Sequence, residues 1–336
     1  MWAEPGSNQE QLTTIGMVSE PFSRGLMKRI VICLCMLLLA GLPAMATALG
    51  TSARTVIPSD IQQIISVDYR ALKNSPTAQA LKARVLPEQL KEFESSLRGV
   101  GINPDTDVEQ LTFASFRSKS GVEIIGLAQG TFPTKKILAR IKAKKVKALK
   151  YRTSDLWSMP GGQQMTFLDD STMLFGQRAA VQSALDSRDG EAPALNGNST
   201  IADMIQAVDS GPVWSVLDAQ GTQNMLHSTL GDAAKLADYE VVRKRLLGSR
   251  YTMEFNNGVS FNLSVLTSDS MTAATLSSLI QAGVLFRKMN AQGVEKAALD
   301  SVTVNSDSAN LKLNFKSDEA KFRSLVQSDL FASVIK

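Results

Sequence analysis

Apolar and polar positions alternate with period two in parts of the chain, which is the pattern of strands buried on one face. Val259, Phe261, Leu263 and Val265 are separated by polar residues, and residues 311–315 repeat the pattern. Sheets with one solvated face are typically antiparallel, because parallel sheets are covered on both faces. The alternation therefore predicts antiparallel strands with one face towards a core.

Other stretches place apolar residues at helical spacing. Leu90, Phe93 and Leu97 are separated by three and then four positions. Longer amphipathic helices are predicted over residues 134–145 and 271–290. Each of these helices has one apolar face, which we expect to pack on a sheet.

The predicted elements recur in the same order in two parts of the chain. Each part begins with a short strand ending in Asp, at residues 64–68 and 213–218, and continues with a helix, a hairpin, a second helix and further strands. The order β-α-β-β-α-β with extra strands resembles a ferredoxin-like unit. We therefore predict an α+β protein of two related halves, residues 49–190 and 191–336, each an antiparallel sheet with helices packed on one face. Whether the halves share one sheet stays open.

Residues 27–48 have the three regions of a secretory signal peptide. Two basic residues, Lys28 and Arg29, precede an apolar core, and small residues follow, with cleavage sites after Ala46 or Ala48. The chain is therefore expected to be exported through the inner membrane, to the periplasm or the medium.

An uncleaved N-terminal anchor is the alternative reading of this segment. Residues 30–49 form an apolar run of 20 residues, long enough to cross the ~30 Å hydrocarbon core of a bilayer. Residues 1–26 are polar and lack periodicity, and we interpret them as a disordered upstream extension that is not native to the protein.

Few residues of the chain suit catalysis or metal binding. Both cysteines, Cys33 and Cys35, lie in the signal segment, so the cleaved chain would have no disulfide, thiolate nucleophile or Cys-ligated zinc. His227 is the only histidine, and no G-x-S-x-G elbow accompanies it. We expect His227 on a helix, at its surface or half-buried, and we predict a non-enzymatic protein without a cofactor or a metal.

Two acidic stretches are candidate sites in the sequence. Asp105, Asp107 and Glu109 stand at alternate positions, a spacing that can supply oxygen ligands to calcium. This stretch lacks the glycine and the distal glutamate of an EF-hand loop, so a turn with Asx hydrogen bonds is the preferred interpretation. Asp169 and Asp170 are likewise interpreted as a turn between strands.

The strongest charge feature is a basic segment, residues 135–152, which contains nine cations and no acid. Ile137 and Ile141 form an apolar stripe along it, which predicts an amphipathic helix. The proposed anion-binding residues are Lys135, Lys136, Arg140, Lys144, Lys145 and Lys147. An anionic membrane surface or a cell-envelope polymer is the expected partner. Nucleic acid is not expected, because no aromatic side chains stand among the cations of the helix. The alternative is a solvated face that keeps the protein soluble.

A short strand, Ile65-Ser66-Val67-Asp68, is followed by a helix and by residues 101–108, GINPDTDV, which lead into another strand. Together with the signal peptide, this arrangement resembles exported bacterial proteins of domain-of-unknown-function families. The resemblance implies export and a duplicated α+β fold. It implies no catalytic residues.

These observations predict an exported cell-envelope or secreted binding protein with a basic face for an anionic partner. A carboxylate-dependent hydrolase is an alternative, which requires two acids facing each other across a cleft. A structural subunit of an envelope complex is a third possibility. Trp157 and Trp214 are predicted to lie in the core, because an indole buries a large apolar area.

Overall fold

The computed structural model describes residues 48–73, 94–95, 97–230, 237–256 and 258–327. The proposed upstream extension and nearly all of the signal segment lie outside the described residues. Leu90 and Phe93 of the first predicted helix, and Asn257 of the second predicted hairpin turn, also lie outside them.

The described residues contain twelve β-strands. They are β1 Ile61–Asp68, β2 Val108–Ser118, β3 Gly121–Gly130, β4 Leu149–Tyr151, β5 Ser154–Ser158, β6 Gln164–Phe167, β7 Thr172–Gly176, β8 Val213–Asp218, β9 Leu246–Glu254, β10 Val259–Thr267, β11 Val302–Asp307 and β12 Asn310–Ser317.

Apart from the helical residues 94–95 and 97–100, the described residues contain eleven α-helices. They are α1 Thr51–Val56, α2 Tyr69–Leu72, α3 Pro104–Asp107, α4 Thr134–Ala143, α5 Arg178–Arg188, α6 Ser199–Gln206, α7 Ala219–Leu230, α8 Ala237–Arg243, α9 Ser270–Asn290, α10 Gly293–Asp300 and α11 Glu319–Gln327. The predicted helices over residues 134–145 and 271–290 are thus α4 and α9.

All twelve strands belong to one antiparallel sheet, so the fold class is α+β as predicted. The strand order is β11-β12-β10-β9-β8-β1-β2-β3-β7-β6-β5-β4. The two predicted halves share this sheet, because β1 pairs with β8 in its middle. The ferredoxin-like arrangement is not confirmed, since β1 lies directly beside β2 in an antiparallel pair, with no strand between them.

Helices cover both faces of the sheet in the first half, where the sequence predicted one covered face. Ala114 of β2 belongs to a buried cluster with α1, α5 and α6. Its neighbour Phe113 points to the opposite face and packs against a second cluster that includes Ile137 and Ile141 of α4. The physical reason is the composition of the strands. All eight residues of β1 and all five of β7 are buried, as expected for strands covered on both sides.

The second half follows the predicted alternation more closely. Val265 of β10 and Leu311 of β12 pair with each other and join a third cluster with residues of α7, α8 and α9. On the other face of the same strands, Asn262 and Lys312 are exposed. Trp157 and Trp214 are both buried, as predicted.

Candidate anion-binding site

Helix α4 displays the basic segment because its two buried residues fix its orientation. Ile137 and Ile141, one helical turn apart, belong to the same buried cluster as Phe132 and Trp157. Side chains at i and i+4 share a helix face, so burial of this pair directs the cations of α4 towards solvent.

The end of α4 has a Schellman motif formed by lysines. The N–H of Lys145 donates to the carbonyl of Lys142 at 2.9 Å, and the N–H of Val146 donates to the carbonyl of Ile141 at 3.4 Å. Lys145 has a φ of +58°, a conformation in which glycine is usual. Four cations, Arg140, Lys142, Lys144 and Lys145, therefore surround the negative end of the helix dipole.

The six proposed anion-binding residues are all exposed. Among the residues that the structure describes, none of the six forms an ion pair with a carboxylate. They are Lys135, Lys136, Arg140, Lys144, Lys145 and Lys147. Lys142, which the sequence analysis did not include, shares both properties.

Two of the six also contact the protein itself. The Nζ of Lys144 donates to the carbonyl of Gly99 at 2.8 Å, near the end of the helical residues 97–100. The guanidinium of Arg140 lies so close to Gly101 that a Cβ there would be 2.2 Å from it. Cations at a helix C-terminus are stabilising. Arg140 and Lys144 therefore stabilise a helix end, a role that their spacing in the sequence does not reveal.

The last two cations of the segment are neutralised by ion pairs. Lys150 pairs with Asp155 at 2.8 Å. Arg152 pairs with Asp186 at 2.5 Å and with Glu191 at 3.1 Å, and the hydrogen bond to Asp186 is the main reason that the pKa of Arg152 is raised. Apart from Arg140, which lies against Gly101, the cations of the segment whose side chains form no ion pair or hydrogen bond within the described part of the chain are Lys135, Lys136, Lys142, Lys145 and Lys147, and we call this set the lysine cluster.

The acidic stretch, predicted as a turn, forms the one-turn helix α3 and the start of β2, with the side chain of Asn103 accepting from the N–H of Asp105 as N-cap. Asp105 pairs with Arg98 at 3.1 Å, Asp107 accepts from the N–H of Asn103 at 2.7 Å, and Glu109 pairs with Arg70. The three carboxylates therefore have separate partners, and within the described ranges no group of three metal-ligating side chains converges.

The remaining sequence candidates are equally dispersed. Asp169 accepts from the N–H of Ser171 at 2.7 Å, and Asp170 accepts from the hydroxyl of Thr134 at 2.9 Å. His227 is exposed on α7, as expected. The structure thus brings none of these residues together.

In the part of the chain that the structure describes, no helix has both the length and the apolar character needed to cross a bilayer.

Comparison with known proteins assigns no family to the chain. No protein-family model matches it, and no curated protein matches it. Among solved structures, crystal form I of TP0453 is similar with a TM-score of 0.45 and 10% sequence identity, over 85% of this chain and 98% of that chain. Crystal form IV of TP0453 has a TM-score of 0.44 and 9% identity, over 84% of this chain and 97% of that chain. Similarity at this level assigns no function.

Proposed function

We propose that this chain is an exported, non-enzymatic protein of the cell envelope that binds an anionic surface through the lysine cluster. The observation that carries the proposal is the set of five exposed lysines without carboxylate partners among the described residues, held on and directly after a helix whose apolar side is buried. The export signal at residues 27–48 supports an envelope location, either as a cleaved protein or with a retained N-terminal anchor.

Electrostatics favour an anionic partner over an empty solvated face. Lys136 and Arg140 are four positions apart, and a like-charged pair at that spacing destabilises a helix by about 0.2–0.5 kcal/mol. The first turn of α4 has two lysines and no acid, which is also unfavourable at the positive end of a helix dipole. An anionic surface removes both penalties and attracts each lysine by about 1 kcal/mol at low salt.

The finer organisation into two related halves is part of this proposal. The strand order on one side of the central β1–β8 pair is β2-β3-β7, and on the other side it is β9-β10-β12. In the chain, the first set follows β1 and the second set follows β8. Each of these two strands ends in Asp and is followed by a helix. This correspondence supports a duplication, in which β4 to β6 and β11 are additions after the second helix.

The test is co-sedimentation of residues 47–336 with anionic and with neutral liposomes across a salt series. The test variant changes Lys135, Lys136, Lys145 and Lys147 to Gln and keeps Arg140 and Lys144, because these two stabilise a helix end. A control variant removes the same charge at exposed lysines elsewhere, Lys119, Lys244, Lys296 and Lys316.

We expect salt-sensitive sedimentation with anionic liposomes, reduced at least tenfold in the test variant and little changed in the control variant. Equal binding by the two variants would show that net charge, and not the lysine cluster, determines it. The absence of binding by the unmodified chain would overturn the proposed membrane partner.

A further inference from the structure

The solvent side of helix α9 is apolar along most of its length. The exposed fractions of Met271, Leu285, Phe286 and Met289 are 76%, 62%, 69% and 77%. The opposite side of α9 is in the core, where Leu276 and Ile280 are buried. Such large apolar side chains in an exposed group indicate an interaction surface.

The exposed residues follow a helical stripe without charge. Between the two ends of the stripe stand the small exposed residues Ala274, Ser278 and Ala282, and no charged residue occurs between positions 270 and 286. Small residues allow a second helix to approach closely, and bulky residues at one end require holes to receive them.

We propose that α9 pairs with α9 of a second copy of this chain, in an antiparallel dimer whose two-fold axis passes near residue 280. An isologous contact requires each position i to face a position j that in turn faces i. With the axis at residue 280, Met271 faces Met289 of the second copy, Ala274 faces Phe286, and Ser278 faces Ala282. Phe286 of each helix thus meets the small Ala274 of the other, and the flexible side chains of Met271 and Met289 meet at the two ends.

Charge complementarity selects the antiparallel direction. The N-terminal end of α9 has Asp269 as its N-cap, which also pairs with Arg245 at 3.4 Å, and the C-terminal end has the exposed Arg287. In the antiparallel dimer Arg287 of one copy lies about one helical turn from Asp269 of the other, and the two helix dipoles run in opposite directions. A parallel pair would instead place the two Arg287 side chains together at one end and the two helix dipoles side by side in the same direction.

Two other occupants fit the surface less well. An interfacial membrane helix has Lys and Arg along its polar face, whereas the first 17 residues of α9 have none. An added β-strand would need the free edge of β11, and the Nε2 of Gln281 already donates to the carbonyl of Val304 on that strand at 2.7 Å.

The surface is small for a stable dimer. The stripe from residue 271 to residue 289 is about 27 Å long at 1.5 Å per residue. Two helices packed along it bury roughly 800–1,000 Å² in total, which is the low end for specific interfaces. The dimer is therefore expected to be reversible, with a Kd of roughly 1–100 μM.

The test is disulfide cross-linking in cells that express the full chain with Cys33 and Cys35 changed to Ser, so that each introduced thiol is the only one. Two differently tagged copies are co-expressed and oxidised. We expect Ser278→Cys with Ala282→Cys, and Met271→Cys with Met289→Cys, to cross-link at least fivefold more than Ser278→Cys with itself. Lys119→Cys, at an exposed turn, serves as the background control.

A charge swap separates disruption of the interface from misfolding. Phe286→Lys should remove the cross-link between Ser278→Cys and Ala282→Cys, because it places an ammonium against Ala274 of the other copy. Adding Ala274→Glu should restore the cross-link, since positions 274 and 286 of one helix are about 18 Å apart and pair only between copies. Cross-linking at background level for all pairs, or no rescue by Ala274→Glu, would overturn the proposal. A third outcome would favour a membrane contact over the dimer. In it, no cysteine pair cross-links, the unmodified chain binds neutral liposomes, and Phe286→Lys loses that binding.

Discussion

At the scale of single residues, identical residue types in similar settings have different roles that only their neighbours reveal. Gly221 and Gly283 both lie inside helices, α7 and α9. A Cβ at Gly221 would be 2.4 Å from the backbone oxygen of Gln62, whereas a Cβ at Gly283 would meet nothing within 4 Å outside its own helix. Gly221 thus permits α7 to approach β1 closely, and Gly283 only weakens its helix.

Substitution of these two glycines by alanine should therefore have opposite effects. Gly283→Ala should raise the free energy of unfolding by about 0.5–1 kcal/mol, because alanine has the higher helix propensity. Gly221→Ala should lower it by roughly 1–3 kcal/mol, because the added methyl group overpacks the contact with β1. Chemical denaturation of both variants measures the difference. A loss of stability in Gly283→Ala would show that its helix face is less open than described.

At the scale of an element, α4 combines a buried apolar side with a charge distribution that is unfavourable for the helix itself. Its cations at the C-terminal end suit the helix dipole, but Lys135 and Lys136 at the N-terminal end do not. A surface whose only role is solubility would not need cations at that end. Cations that oppose the helix dipole are expected where a helix binds an anion.

Lys136→Glu should separate the stability of α4 from its binding. The change puts an acid in the first turn and forms an i,i+4 pair with Arg140, so the free energy of unfolding should rise by about 0.5–1 kcal/mol. Sedimentation with anionic liposomes should fall. Lys136→Gln is the matched control, with a smaller effect on both measurements. Higher stability with unchanged binding would show that this end of α4 is a solvent-exposed surface that does not bind the anion.

At the scale of the whole molecule, the two halves are joined by the middle of one sheet. Residues of both halves, including Ile64 of β1 and Trp214 of β8, belong to one buried cluster. The second cluster of the first half contains Trp157. Because the sheet is continuous across the β1–β8 pair, the halves are expected to unfold together.

Trp214→Ala tests this coupling with Trp157 as the reporter. Truncation of a buried tryptophan should lower the free energy of unfolding by roughly 3–5 kcal/mol. In residues 47–336 the variant retains Trp157 alone, so its fluorescence reports on the first half. We expect the fluorescence midpoint to shift together with far-UV circular dichroism. If the fluorescence midpoint of the variant equals that of the unmodified protein, the halves unfold independently.

Prediction from sequence was accurate for elements and poor for their assembly. The period-two pattern of residues 259–265 and the helical spacing of residues 134–145 and 271–290 correspond to β10, α4 and α9. The predicted single covered face was wrong for the first half, because short buried strands such as β7 have no alternation that distinguishes one face from two.

For the candidate site, sequence identified the basic segment but not which cations are free. Arg140 and Lys144 contact residues about 40 positions earlier, and Arg152 pairs with Asp186 and Glu191. Such pairings depend on how distant segments meet, so local spacing cannot reveal them. The exposed apolar side of α9 could have been suspected from the sequence in part, because residues 270–286 contain no charged residue on any side of the helix.

The sequence by itself determined the periodic elements β10, α4 and α9, the amphipathic character of α4 and the charge of its exposed side, because these depend on residues within a few helical turns or one strand. Only the tertiary structure decided three other properties. The halves share one sheet, the five side chains of the lysine cluster have neither a carboxylate nor a backbone partner among the described residues, and the uncharged side of α9 faces solvent. Those properties follow from strand pairing and burial between residues far apart in the chain, which local periodicity does not encode.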